Sequence, residues 1–369
     1  MKNTTFKLAE LFCGPGGLSL GAMSAVIDSK NKTYKIKPIW ANDIDRDTCK
    51  TYVRNIHSGD SAHVICAPVE TIDFKKTPAF DVLAFGFPCN DFSIVGKQKG
   101  FNGKYGPLYS YGVKAINIHN PKWFIAENVS GLQSANNGEA FAKILDDLEK
   151  AGKKGYRLTP HLYKFEEYGV PQTRHRVVII GIRKDLGLEF KVPAPTTAGK
   201  YISAKSAIEN PPILDNAPNH EITVQAKIVV ERLKHIPAGE NAWYAGIPKH
   251  LKLNVKGARM SQIYKRLHPD KPSYTITGSG GGGTHGYHWS QNRALTNRER
   301  ARIQTFPDNF IFEGSKESAR KQIGMAVPPK GARIIFEAVL KTFAGIPYDW
   351  IPSKITNGNS NGNGQGIFF

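Results

Sequence analysis

The feature that most constrains this chain is an apolar run that stops abruptly. Residues 80–93 read Phe80-Asp-Val-Leu-Ala-Phe-Gly-Phe-Pro-Cys-Asn-Asp-Phe-Ser93. Residues 82–85 have buried-strand character, and Gly86 and Pro88 break it, so Cys89 falls on a loop just past the carboxyl end of a strand. In open α/β sheets, ligands and chemistry collect at those ends. A free cysteine is more often a small buried hydrophobe. Here glycine, proline, Asn90 and Ser93 frame a thiol on a loop, which makes Cys89 a candidate nucleophile.

The first 45 residues add a second constraint. Residues 6–12 have strand character and run into Cys13-Gly14-Pro15-Gly16-Gly17-Leu18-Ser19-Leu20-Gly21, after which the pattern fits a helix through residue 27. Strand, glycine-rich turn and helix is the arrangement in which backbone approaches a nucleotide-like ligand and a helix N-terminus faces it. A purely structural tight turn fits the same residues. A second strand over 36–41 ends in Asn42-Asp43-Ile44-Asp45, roughly 20 to 30 residues after the glycines, where an acid reads a ribose hydroxyl pair. Asp45 also suits the N-cap of a helix over 46–55. A nicotinamide dinucleotide and S-adenosylmethionine both fit such an acid. The glycine spacing is not Gly-x-Gly-x-x-Gly and no pyrophosphate signature follows, which favours the methyl donor.

A strand near 63–69 precedes the Cys89 strand. The polar, aromatic loop over 96–109 is too long for a simple connection and reads as a mobile lid. After a helix over 110–119 comes Lys122-Trp-Phe-Ile-Ala-Glu127-Asn128-Val129, an apolar strand closed by two polar groups. In a parallel sheet these share an edge with Cys89; a capping asparagine beside a solvated glutamate is the plain alternative. An amphipathic helix over 139–151 and strands over 157–165 and 177–182 follow. Arg174 and Arg176 alternate just before the last strand, which puts both on one face, and a buried charge there requires partners.

From about 190 to 287 the regular alternation gives way to short Pro, Gly, Lys and aromatic pieces, which marks a separate irregular domain. Lys249, Lys252, Lys256, Arg259, Lys265 and Arg266 suit phosphate and base contacts, although lysine-rich loops are commonly just solvated. The net charge of +19 points to the same partner, a polyanion such as nucleic acid. Cysteines at 13, 49, 66 and 89 include no Cys-x-x-Cys pair, which argues against a zinc site and for reduced thiols. No signal-like core opens the chain and no run reaches membrane length, so a soluble intracellular protein without a membrane partner is expected. Helical pattern resumes over 295–306, with Thr296 as N-cap, and over 330–343. Residues 357–366 are Asn/Gly low complexity and are expected to be disordered.

Taken in order, Leu11-Phe-Cys-Gly-Pro-Gly-Gly17, Gly86-Phe-Pro-Cys-Asn-Asp-Phe-Ser93, Glu127-Asn-Val129, Pro171-Gln-Thr-Arg-His-Arg176, Leu295-Thr-Asn-Arg-Glu-Arg-Ala-Arg-Ile-Gln-Thr-Phe-Pro-Asp308 and Ile323-Gly-Met-Ala-Val-Pro-Pro329 resemble the signature blocks of the DNA cytosine-5 methyltransferases. The resemblance implies an α/β fold: a Rossmann-like S-adenosylmethionine-dependent methyltransferase domain with a mainly parallel mixed sheet, plus a smaller irregular target-recognition domain. The expected division is 1–189 and 291–350 for the catalytic domain, 190–290 for target recognition and 351–369 for a flexible tail. It further implies S-adenosylmethionine as cofactor with no metal, and Cys89 as a nucleophile adding to C6 of a flipped-out cytosine. That addition makes C5 nucleophilic and pushes charge onto N3. By the same resemblance Glu127 stands as the acid at N3, and Arg174 and Arg176 hold the base carbonyl and orient carboxylates. Phe12, Gly14, Gly16, Gly17, Leu18, Asp43, Ile44, Pro88 and Leu108 match cofactor-binding positions.

The implied partners are double-stranded DNA and a separately acting restriction endonuclease, with the chain a monomer in the bacterial cytoplasm, held to the nucleoid by DNA. Four stretches depart from the family pattern. Ala67-Pro68-Val69 stands where Gly-Asp-Ile is common, Gly103 and Tyr105 replace an Asp and an Arg, Asn90 replaces Gln, and Met325 replaces Asn. A cytosine-5 methyltransferase acting on RNA, a non-catalytic DNA-binding protein and, more distantly, a nicotinamide-dependent oxidoreductase are the competing readings. A variable region of about a hundred residues, large enough to read a major groove, weighs against the first.

Overall fold

The computed structural model describes residues 2–29, 32–87, 108–254, 260–278, 280, 283–353 and 355, without the side chains of 2 and 134–137. Pro88, Cys89, Asn90, Gly103, Tyr105, most of the expected lid, Lys256, Arg259 and the Asn/Gly tail lie outside the described residues.

The first half builds a sheet whose central strands are buried on both faces. In chain order its elements are β1 (Lys2–Leu11), α1 (Gly17–Ser24), β2 (Val26–Ser29), β3 (Lys32–Asp43), α2 (Arg46–Ile56), β4 (Val64–Cys66), β5 (Val82–Gly86), α3 (Tyr109–His119), β6 (Trp123–Val129), α4 (Glu139–Lys150), β7 (Tyr156–Lys164) and β8 (His175–Arg183). The strands pair in the order β2-β3-β1-β5-β6-β8-β7, with β4 added beside β3. The β1–β3, β1–β5, β3–β4 and β5–β6 pairs are parallel, and the β2–β3, β6–β8 and β7–β8 pairs antiparallel.

Side-chain alternation shows how the faces are covered. Leu83 and Phe85 of β5, with Phe124 of β6 and Val177 of β8, face a core shared with Ile116 of α3 and Ile144 of α4. Val82, Ala84, Ile125 and Ile180 face the opposite core. There they meet Leu18 and Ala22 of α1 and Phe336 and Leu340 of α9 (Pro329–Ala344). A continuous apolar run such as Val-Leu-Ala-Phe is what burial on both sides requires.

The helix expected through residue 27 ends earlier. The α1 helix stops at Ser24, and Val26–Ser29 turns back as β2, pairing antiparallel with the start of β3. The strand expected over 63–69 narrows to Val64–Cys66, because Pro68 cannot donate to a ladder.

Beyond β8 lie β9 (Val192–Pro193), α5 (Ala204–Glu209), α6 (Lys227–Lys234), α7 (Asn297–Ile303), α8 (Lys316–Met325), α9 and β10 (Trp350–Ile351). Thr296 caps α7 through a full capping box with Glu299. A small core of Leu233, Ile236, Ile247, Leu251, Tyr287 and Ala294 organises part of the irregular region. Ala204 and Ile208 of α5 pack instead with Ala301, Ile303 and Ile323. Among the described residues no helix is long and apolar enough to cross a membrane.

Candidate active site

Register sets the site. Leu11 of β1 lies opposite Asn42 of β3 and Phe85 of β5, and Gly86 of β5 lies opposite Glu127 of β6. The carboxyl ends of four parallel strands therefore align, and the glycine turn, Asp43-Ile44, the chain leading to Cys89 and Glu127 all leave from one edge.

At that edge a cavity of about 240 Å³ is lined by Gly86, Phe87, Glu127, Asn128, Val129, Arg174 and Arg176, and closed by residues 275–278, Gly324 and Met325. Its volume is below the roughly 300–1,000 Å³ of sites for drug-sized ligands, so it suits one heterocycle. Cavities of about 510 and 420 Å³ occur elsewhere, and neither is lined by these strand ends.

Glu127 is not the solvated group a surface reading would give. Its Oε1 lies 2.9 Å from Arg176 Nε, and a Cβ on Gly86 would approach its Oε2 to 3.1 Å. Burial raises the carboxyl's pKa above the ordinary carboxylate value, even though Arg176 and Arg174 both pull it down. The protonated form is thereby available at higher pH. Arg174 is buried, and its guanidinium donates to the carbonyls of Ile276 (3.1 Å), Gly324 (3.1 Å) and Ala326 (2.8 Å). Three backbone carbonyls from two distant segments thus satisfy the charge. Its Nε is buried without a partner among the described residues.

Asn128, for which helix capping is the plain alternative, is instead buried and donates from Nδ2 to the Phe87 carbonyl at 3.1 Å. Phe87 is itself buried in the core under α3. The last described residue before the Cys89 loop is thus pinned by both backbone and ring.

The glycine turn separates into two parts. Phe12 and Gly14 adopt positive φ (53° and 55°), and the Gly14 amide donates to Asp43 Oδ2 at 3.0 Å, while Asp45 N donates to Oδ1 at 3.0 Å. Nothing lies within 4 Å of where a Gly14 Cβ would stand. Gly16 instead faces Ile56 and Tyr52 of α2, and a Cβ on Gly17 would come within 2.2 Å of the Val327 carbonyl oxygen. Those two glycines are required by packing. The Leu18 side chain is in the core, so only its backbone at the start of α1 faces the turn.

Asp43 is half-buried, and its desolvation raises its pKa, while the two backbone amides draw it back. Ile44 beside it is 70% exposed. Leu108 and Phe12 belong to the same core as Phe87. The Ala67-Pro68 departure leaves the backbone tie intact: Ala67 N donates to the Asp43 carbonyl, and Asn42 Nδ2 donates to the Ala67 carbonyl.

A buried group went unnoticed in the sequence. Glu10 Oε2 accepts hydrogen bonds from Ser19 Oγ and from Tyr52 OH (3.2 Å), joining β1, α1 and α2 beneath the turn. Burial pushes its carboxyl up to about 8.

The family model for C-5 cytosine-specific DNA methylases matches residues 6–341. The chain belongs to this family. Among curated relatives, the methylase is 60% identical over 355 residues to the Type II methyltransferase M.BbvI of Brevibacillus brevis, covering 95% of this chain and 94% of that one. It is 41% identical to the Type II methyltransferase M.NgoFVII of Neisseria gonorrhoeae, with 92% and 87% covered. A solved DNA modification methyltransferase encoded by a prophage of E. coli superposes with a TM-score of 0.70 at 22% identity, covering 92% of this chain and 99% of that one, a likeness of fold. The methylase is an enzyme of a family that uses S-adenosylmethionine, and its α/β sheet is the Rossmann-like one expected.

Proposed function

We propose that the protein transfers a methyl group from S-adenosylmethionine to C5 of a cytosine flipped out of a specific duplex DNA sequence, as the modification half of a restriction–modification system. The observation that supports this most is the half-buried Glu127–Arg176 pair beside Gly86, three residues before Cys89 in the chain. The pair gives a ring an acid and a fixed cation at one end of a cavity of single-ring size.

In this reading the Cys89 thiolate adds to C6 while Glu127 donates a proton at N3, which would make C5 nucleophilic toward the donor's methyl. Loss of the C5 proton then re-forms the C5–C6 double bond and expels the Cys89 thiolate, and N3 returns its proton to Glu127. Arg176 orients Glu127, and the buried Nε of Arg174 faces the base carbonyl. S-adenosylmethionine supplies an electrophilic methyl when bound. The open space at Gly14, the Asp43 carboxylate and the exposed Ile44 fit its ribose and adenine, with Phe12, Pro88 and Leu108 along its length and Gly16, Gly17 and Leu18 shaping the turn. Residues 1–189 and 291–350 would form the catalytic unit and 190–290 the target-reading one. A separately acting endonuclease, a monomeric state and a cytoplasmic, nucleoid-bound location complete the proposal.

Bisulfite sequencing of plasmid DNA after expression tests it. One methylated sequence motif, lost in Cys89→Ser while duplex binding persists, is expected. Unmethylated DNA from cells making folded protein, or methyl transfer onto tRNA alone, would overturn it.

A further inference from the structure

Two thiols line one cavity beside the proposed cofactor site, and methyl transfer uses neither. Cys66 ends β4 and is the register partner of Asp43 on β3. Cys49, on α2, has its Sγ 3.5 Å from the Asp43 carbonyl oxygen, so both cysteines stand at Asp43. Both line a cavity of about 390 Å³ together with Arg46, Lys50 and Val64.

Their exposure is unequal. Cys66 is exposed and Cys49 buried, so a reagent from solvent meets Cys66 first and finds Cys49 behind it. Burial pushes the Cys49 thiol up, so it keeps its proton until its sulfur bonds to Cys66.

The pair is wired to the Asp43 corner. Ala67 N donates to the Asp43 carbonyl at 3.1 Å, and Asn42 Nδ2 reaches the carbonyls of both Ile65 and Ala67 at 2.8 Å. Backbone on either side of Cys66 is thus tied to the residues that carry Asp43 and Ile44. A disulfide holds its two sulfurs about 2.0 Å apart and its Cβ atoms about 3.8 Å apart, so forming one ties α2 to β4 beside the Asp43 carbonyl.

We infer that Cys49 and Cys66 are a redox pair, which a hydroperoxide converts to an intramolecular disulfide that weakens cofactor binding at Asp43 and Ile44. The second half of this statement rests on the proposed cofactor site. Cys66 sulfur attacks the peroxide O–O bond, giving a sulfenic acid, and the Cys66 proton leaves with the released oxygen as alcohol or water. The Cys49 sulfur then attacks Cys66 Sγ, the S–O bond breaks, and hydroxide leaves as water with the Cys49 proton. The two thiols lose two electrons, and the peroxide gains them.

The experiment uses the full chain with Cys89→Ser, so that oxidation of position 89 does not intervene, and reads peptide cross-links and S-adenosylmethionine affinity before and after hydrogen peroxide. A Cys49–Cys66 cross-link, a roughly tenfold weaker affinity, recovery with dithiothreitol, and indifference of Cys66→Ser and of Cys49→Ala to peroxide are expected. No cross-link, a cross-link with unchanged affinity, or an equal loss in Cys66→Ser overturns the inference. Failure of the cofactor assignment shows separately, as unchanged affinity of the reduced protein on Asp43→Asn, while the cross-link is mapped independently of it.

Discussion

Glu127 Oε1 and Arg176 Nε meet at 2.9 Å between the adjacent strands β6 and β8, with Gly86 as the register partner of Glu127 on the other side. A side chain at 86 would crowd the carboxylate, so the missing Cβ keeps its second oxygen clear. The guanidinium holds one oxygen, and burial raises the cost of charge on the whole group.

Glu127→Gln keeps a hydrogen-bond acceptor for Arg176 but removes the proton to be donated. The rate of methyl transfer in a single turnover is expected to fall by about 10²- to 10⁴-fold, with DNA and cofactor affinities and thermal stability little changed. A variant retaining most of its single-turnover rate would end the proton-donor role.

Asn128 acts at one remove. Its Nδ2 fixes the Phe87 carbonyl, two residues before the proposed nucleophile. A reacting group misplaced by about 1 Å costs up to roughly 10²-fold in rate. Asn128→Ala should therefore lower kcat by tenfold or more with KM for DNA nearly constant, and Asn128→Asp should not restore it, because a carboxylate cannot donate to the carbonyl. Steady-state kinetics in which KM moves instead of kcat would assign Asn128 to substrate binding.

The sheet was legible because its evidence is local. Val-Leu-Ala-Phe before Gly86 and Trp-Phe-Ile-Ala before Glu127 state both strand type and the place where each strand stops. Tertiary relationships were not legible. Nothing in Gly14-Pro-Gly-Gly17 distinguishes the glycine with open space before it from the two held by Val327 and α2, since those partners are distant in sequence. Glu10 read as one polar residue in a strand, because its partners Ser19 and Tyr52 lie on two different helices. The helix pattern ran past Ser24 because Val26 and Ile27 serve an edge strand as well as they serve a helix.

The division within the glycine turn predicts opposite phenotypes. Gly17→Ala drives a methyl into the Val327 carbonyl, and overpacking of this kind costs about 1–3 kcal/mol. Urea unfolding should show that loss, with cofactor affinity reduced only in proportion to folded protein. Gly14→Ala meets no neighbour and carries only the strain of its positive φ, about 1 kcal/mol. Its main effect should be weaker S-adenosylmethionine binding by titration. Equal stability losses without a binding defect would make the whole turn structural.

Glu10 makes a prediction about pH. Its folded-state carboxyl is raised from the usual 4.5 to about 8, chiefly by burial, with the hydrogen bonds from Ser19 and Tyr52 only partly offsetting that. A raised folded value means that the folded chain holds a proton that the unfolded chain has already released. The resulting stability is fully present below the unfolded value near 4.5 and is lost as pH rises through about 8. Within that window the slope is about 1.4 kcal/mol per pH unit. Glu10→Gln preserves an acceptor for Ser19 and Tyr52 without an ionisable group, so it removes this slope. Asp43 and Glu127, also raised by burial, leave a slope of the same sign in the variant. Urea unfolding of both proteins between about pH 5 and 8 should therefore give curves that diverge as pH rises, with the variant gaining on the wild type. Parallel curves would show that Glu10 is ionised in the fold at neutral pH and that the Ser19 and Tyr52 hydroxyls outweigh the cost of burying its charge.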